Sequence, residues 1–160
     1  MFNGIIFNKG IVNKIKKSTK GVNIFVKSNL KVRNKDLGVS ICCDGVCLTL
    51  ITIKKKIMEF YLSNETIMRS KFKYLEKNEQ INLELPLKYG QKISGHFTQG
   101  HVDTTAKIKK INIIDNSWSI KLEIKNKKFM KFLEEKASIS INGVSLTVSK
   151  VHKKDFPLIF

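Results

Sequence analysis

Cys47-Leu48-Thr49 and Ser145-Leu146-Thr147 are two places where this chain sets small polar side chains at strand spacing. Alternation along an extended strand puts the first and third residue of each triplet on one face and the leucine on the other. Each copy therefore offers a thiol or hydroxyl pair to a common surface, as a pocket for a polar ligand requires. The same residues could instead be strand positions that cap neighbouring backbone groups. A third run, Gly95-His96-Phe97-Thr98-Gln99-Gly100-His101-Val102-Asp103, adds two imidazoles. Their separation would place them on opposite faces of a regular strand, and no cysteine is near them, so a metal site is not expected. His96 reads as a buried, hydrogen-bonded structural residue. His101 is the better site candidate, because Gly100 before it permits close backbone approach.

The two triplets belong to a longer internal repeat. Residues 39 to 53, VSICCDGVCLTLITI, recur at 137 to 151 as ASISINGVSLTVSKV. Upstream, Gly4, Ile6, Gly10 and Val12 match Gly100, Val102, Ala106 and Ile108. Asp44-Gly45 and Asn142-Gly143 mark a tight hairpin at the centre of each copy, since a type I′ turn needs positive φ at both central residues. Period-two alternation predicts strands over 4–17, 22–26, 39–43, 46–53, 57–63, 79–84, 103–114, 118–124, 137–142 and 144–151. Helical turns are expected after Asn64, a candidate N-cap, through Leu75, and over 127–135 as a lid carrying Phe129, Met130, Phe132 and Leu133. Short antiparallel strands repeated twice predict an all-β chain of two tandem Greek-key β-barrels with short helices, one over 1–95 and one over 96–160. The first copy continues through Glu65-Thr66 and Asn82-Leu83-Glu84, whereas the second stops at Phe160, so the second barrel is expected to be incomplete.

Composition excludes several classes. No apolar run is long enough to span a membrane, and Met1 to Gly10 lacks signal-peptide character, so the chain reads as soluble and cytoplasmic. A formal net charge of +17 suggests a nucleic-acid partner, yet the basic residues are lysines apart from Arg33 and Arg69. Base and phosphate readout favours arginine's planar fork, and no row of stacking aromatics is present, so nucleic acid is not the expected partner. Cys42, Cys43 and Cys47 are an odd number with no C-x-x-C pair, which argues for reduced thiols rather than disulfides or zinc.

Taken in order, Met1-Phe2-Asn3-Gly4-Ile5-Ile6, Asp44-Gly45-Val46-Cys47-Leu48-Thr49, Glu65-Thr66, Asn82-Leu83-Glu84, Gly95-His96, Gly100-His101-Val102, Lys136 and Asn142-Gly143-Val144-Ser145-Leu146-Thr147-Val148 resemble the riboflavin synthase alpha-chain family, built on the lumazine-binding repeat. The resemblance implies a homotrimer that dismutates two molecules of 6,7-dimethyl-8-ribityllumazine, without metal or organic cofactor. A four-carbon unit moves between them, giving riboflavin and 5-amino-6-ribitylaminouracil. It implies one lumazine held by Gly4, Ile5, Ile6, Cys47, Leu48, Thr49 and Tyr61, Leu62, Ser63, Asn64, Glu65, Thr66. The other falls to Gly100, His101, Val102, Lys136, Ser145, Leu146 and Thr147. His101, Ser145 and Thr147 would handle protons and polarise the substrate, and Cys47 would lie near the addition step. Asn3, Leu85 and Ala137 depart from the family pattern, which also continues past Phe160 and so makes this chain read as C-terminally truncated. The alternative reading is a noncatalytic lumazine- or flavin-binding protein.

Overall fold

In a computed structural model, residues 1–152 and 155–159 are described. Six strands, β1 (Asn8–Ser18), β2 (Gly21–Ser28), β3 (Ser40–Cys43), β4 (Val46–Lys54), β5 (Ile57–Ser63) and β6 (Gln80–Glu84), close into a barrel in the order β1-β2-β5-β4-β3-β6. Alternation explains its filling. Val46, Leu48 and Leu50 of β4 enter the core while Cys47, Thr49 and Ile51 do not, and Val12, Val26 and Phe60 are fully buried among them. Closure leaves no strand edge of this small sheet unpaired.

The second half uses the same plan more openly. β7 (Ala106–Ile114), β8 (Ser117–Ile124) and β11 (Phe156–Ile159) form a sheet with β8 in the middle, and β9 (Ser138–Ile141) with β10 (Val144–Thr147) forms a separate hairpin. A bridge between Val148 and Leu158 ties the hairpin to β11. Even the irregularities repeat: register shifts between Val12 and Lys14 in β1, and between Ile108 and Lys110 in β7. Among the described residues, no strand lies between β7 and β9 as β6 lies between β1 and β3. Ile108, the match of fully buried Val12, is accordingly 60% exposed. The all-β fold with one complete barrel and one incomplete one is as expected.

Several boundaries differ from the expected ones. β1 begins at Asn8 rather than residue 4, because Gly4 takes φ +74° and Phe2 instead bridges Thr98. β7 begins at Ala106 rather than 103, and β10 ends at Thr147 rather than 151, where Val148 turns to pair with Leu158. Helix α1 (Asn64–Arg69) is capped by Ser63, whose Oγ accepts from Thr66 N–H at 3.2 Å, so Asn64 is the first helical residue and not the cap. The segment Lys127–Phe132 is a 3-10 helix that lays Phe129 and Met130 on the second core and leaves Phe132 exposed. Lys55 and Lys56 make the β4–β5 turn at positive φ. Among the described residues no helix is long and apolar enough to cross a membrane. Phe160 lies outside the described residues.

Candidate functional site

The two hairpins meet at their tips. Both turns hold the expected left-handed pairs, Asp44-Gly45 and Asn142-Gly143, and a Cβ on Gly45 would lie 2.8 Å from Gly143 N. Asp44 Oδ1 accepts from Asn82 N–H at 2.7 Å, and its other oxygen lies 2.8 Å from Lys71 Nζ. Burial pushes the Asp44 carboxyl above its ordinary range, opposed by Lys71 and the Asn82 amide. For Lys71, burial lowers the ammonium, but its contacts with Asp44 and Glu79 leave it above its ordinary value. Asn82 Nδ2 then donates to Asn142 O at 3.0 Å, so the first barrel carries the turn of the second half.

A second set of contacts crosses between the halves. Phe2 and Thr98 exchange backbone hydrogen bonds, and beyond them each segment runs to the opposite hairpin. Ser145 N–H donates to Gly4 O, and Cys47 N–H donates to Gly100 O, both at 2.8 Å. A Cβ on Gly4 would stand 2.7 Å from Ser145 Cβ, and one on Gly100 2.6 Å from Cys47 Cβ. With φ of +74° and +80°, both positions need glycine for conformation and for space. Val102, after the Gly100 strap, packs on the first core.

The structure joins Gly4 to Ser145 and Gly100 to Cys47, whereas the resemblance implied Gly4 with Cys47 around one ligand and Gly100 with Ser145 around the other. The physical reason is the Phe2–Thr98 pairing, which hands each strap to the other repeat. Each polar face is thus built from both copies.

The Ser145 face is the more elaborate. Its Oγ shares a 2.5 Å hydrogen bond with His96 Nδ1. Buried Glu84 accepts from Asn3 N–H at 2.7 Å and from Gly4 N–H at 3.0 Å, fixing the strap beneath Ser145. Asn3 Oδ1 accepts from Ser94 and Gly95 N–H, at 3.0 and 2.9 Å, and so holds the chain leading to His96. His96, Glu84 and Asn3 were not selected as site residues from sequence. The acid ending an apolar strand and the Gly95-His96 step were the available signals. A cleft of about 570 Å³ runs alongside, lined by Ile5, Phe7, Glu84, Lys88 and Tyr89 but by no residue of the repeated triplets.

The remaining candidates divide. Cys47–Thr49 and Tyr61–Ser63 lie at one end of the first barrel, beyond the Leu50↔Phe60 pair of the β4–β5 ladder. There Leu48 and Leu62 are core, Cys47 is half-buried and Thr49 exposed. Tyr61 Oη donates to Lys20 O, Ser63 and Thr66 bond each other, Asn64 Nδ2 reaches Thr19 O, and Glu65 pairs with Arg69. In the second half, Leu146 packs on the second core and Thr147 is exposed. Lys136, at φ +68°, donates its N–H to Val148 O and exposes its side chain. Ile6 is half-buried and His101 exposed; it is His96, not His101, that is brought to Ser145.

Comparison with known proteins matches residues 3–86 and 99–159 to the Lumazine binding domain family. The chain belongs to the lumazine binding domain family. Within that family it is 31% identical to riboflavin synthase of Buchnera aphidicola subsp. Schizaphis graminum, over 98% of this chain and 76% of the relative. It is 30% identical to that of Brucella abortus, over 99% and 81%. It is 32% identical to that of Bacillus subtilis, over 92% and 68%. The crystal structure of LumP complexed with riboflavin has the same fold, with a TM-score of 0.86 at 21% identity over 100% of this chain and 86% of that one. LumP complexed with 6,7-dimethyl-8-(1'-D-ribityl) lumazine gives 0.83 at the same identity and coverage. The lumazine binding domain family thus accounts for both repeats of this chain.

Proposed function

We propose that the chain is a riboflavin synthase, dismutating two molecules of 6,7-dimethyl-8-ribityllumazine to riboflavin and 5-amino-6-ribitylaminouracil. The observation that carries this reading is the His96–Ser145 hydrogen bond on a face already closed by the Gly4 strap. The reaction needs a proton taken from the C7 methyl of one lumazine and a nucleophile added at C7 of the other. In the tautomer with Nδ1 unprotonated, His96 accepts from Ser145 Oγ and suits that hydroxyl to proton transfer and polarisation, with Thr147 on the same strand face. His101, beside the Gly100 strap, and Cys47 serve the second ring. Holding two rings in a reactive pose can supply roughly 7–11 kcal/mol of the barrier. The units 1–95 and 96–160 each contribute one hairpin, its face completed by the other unit's strap, and in a homotrimer the faces of neighbouring subunits bring two ligands together. Lys136 and the Tyr61–Thr66 segment line the approach to them.

A noncatalytic lumazine- or flavin-binding protein is the second reading, supported by the contrast between the closed first barrel and the separate sheets of the second half. Incubating the full chain with the lumazine and following riboflavin absorbance separates the two. Riboflavin formation supports the synthase; tight lumazine binding without turnover supports the carrier; absence of binding overturns both.

A further inference from the structure

Cys42 and Cys47 stand directly opposite each other across the β3–β4 hairpin. The turn-closing pair is Cys43↔Val46, so the alternation of an antiparallel ladder makes Cys42↔Cys47 a non-hydrogen-bonded pair. Two backbone contacts agree with this: Cys47 N–H points away from β3 to Gly100 O, and Cys42 pairs on its other side with Glu84 of β6. Non-hydrogen-bonded pairs bring Cα atoms to about 4.5 Å, inside the range of roughly 4.4–6.8 Å that a disulfide spans. Both thiols also lie on one face. Cys43 and Leu48 belong to the barrel core, whereas Cys42 and Cys47 do not. Cys42 Sγ instead lies 3.6 Å from where a Cβ on Gly143 would be, under the opposite turn.

We propose that Cys42 and Cys47 form a reversible cross-strand disulfide when the protein meets a peroxide, and that this disulfide withdraws Cys47 from the ligand face. Cys47 is half-buried and Cys42 is 1% exposed, so Cys47 reacts first. Its thiolate attacks a peroxide oxygen, breaking the O–O bond and giving a sulfenic acid and hydroxide. Cys42 sulfur then attacks Cys47 sulfur and expels the sulfenic oxygen as water. The two thiols lose two electrons, and hydrogen peroxide is reduced to two waters. Burial pushes the Cys42 thiol up to about 12, so Cys42 is not the thiol that attacks the peroxide first. Cys43 is fully buried on the other face and takes no part.

Formation of the bond stands apart from the proposed function; its effect on ligand binding rests on that reading. The reduced full chain is treated with one equivalent of hydrogen peroxide, and intact mass and thiol count are measured. Expected are a loss of about 2 Da, reversed by dithiothreitol, and a fall from three titratable thiols to one. Alkylation of the oxidised chain in denaturant should label Cys43 alone, located by fragmentation, which needs no variant to fold. Cys42→Ser and Cys47→Ser should abolish the mass loss, and Cys43→Ala should keep it. A gain of about 32 Da on Cys47 with no disulfide, or a bond mapped to Cys43, overturns the proposal. Lumazine affinity of the oxidised chain should fall about tenfold, the loss of one good contact. An intact disulfide with unchanged lumazine affinity overturns the withdrawal of Cys47 from the ligand face and leaves the bond itself standing.

Discussion

The two hairpins share a turn type, a strap and a polar triplet, yet they are supported differently. The first stands inside a closed barrel, its turn pinned by buried Asp44 and Lys71 and its outer face backed by Cys42. The second has Asn142 in place of the carboxylate, belongs to a two-stranded sheet, and has His96 beside its serine. Structural support is concentrated in the first copy, and the proton transfer of the proposed function falls to the second. The straps couple them, so each copy borrows from the other what it lacks.

The largest test of this division is at the straps. Gly4→Ala and Gly100→Ala should each cost about 2–5 kcal/mol in urea unfolding, combining left-handed backbone strain with overpacking. A tolerated alanine at either position would break the equivalence of the two crossings. Next, His96→Gln should lower turnover of the lumazine about 10- to 100-fold while leaving the unfolding midpoint nearly unchanged. Lost stability without a selective loss of kcat would reduce His96 to a packing residue.

Lys71→Met tests the pinned turn and should cost about 1–3 kcal/mol at neutral pH, less than a fully buried pair because Lys71 is partly solvated. The sign with pH follows from the raised Asp44 value. A carboxyl that holds its proton more tightly when folded contributes stability at pH below its ordinary range and loses it as pH rises through the raised value. Removing Lys71 raises that value further, so the deficit should shrink on acidification; a deficit independent of pH would refute the role of the buried charge. The smallest contrast compares matched strand positions. Val12→Ala should cost about 1–3 kcal/mol and Ile108→Ala less than about 0.5 by thermal or chemical unfolding. Equal costs would show the second half to be as well packed as the first.

Much of this was legible in residue order. Asp44-Gly45 and Asn142-Gly143 fixed both turns, and alternation in Cys47-Leu48-Thr49 set Leu48, a core residue, opposite the polar pair. The exchange of straps was not legible, because period-two patterning reports which face of a strand is buried and not which sheet it joins. Gly4 and Gly100 carry the same signature whichever hairpin they serve. His96 was assigned to structure for a related reason: its role depends on Ser145, distant in sequence and reached only through the Phe2–Thr98 pairing. Glu84 was visible as a motif residue, but its hold on Asn3 and Gly4 appears only when β6 closes the barrel.

The crossing also governs the order in which the molecule can be assembled. Gly4 is synthesised well before its partner Ser145, which lies in the second repeat. The first barrel can close on local hairpins as it emerges, but its hairpin face waits for Gly100 and its leading segment waits longer still. Contacts of such separation are slow to form because loop closure precedes any gain from them. Until they form, the Ser145 and Cys47 faces are unfinished on both copies, so these slow crossings are also what complete the proposed binding surface.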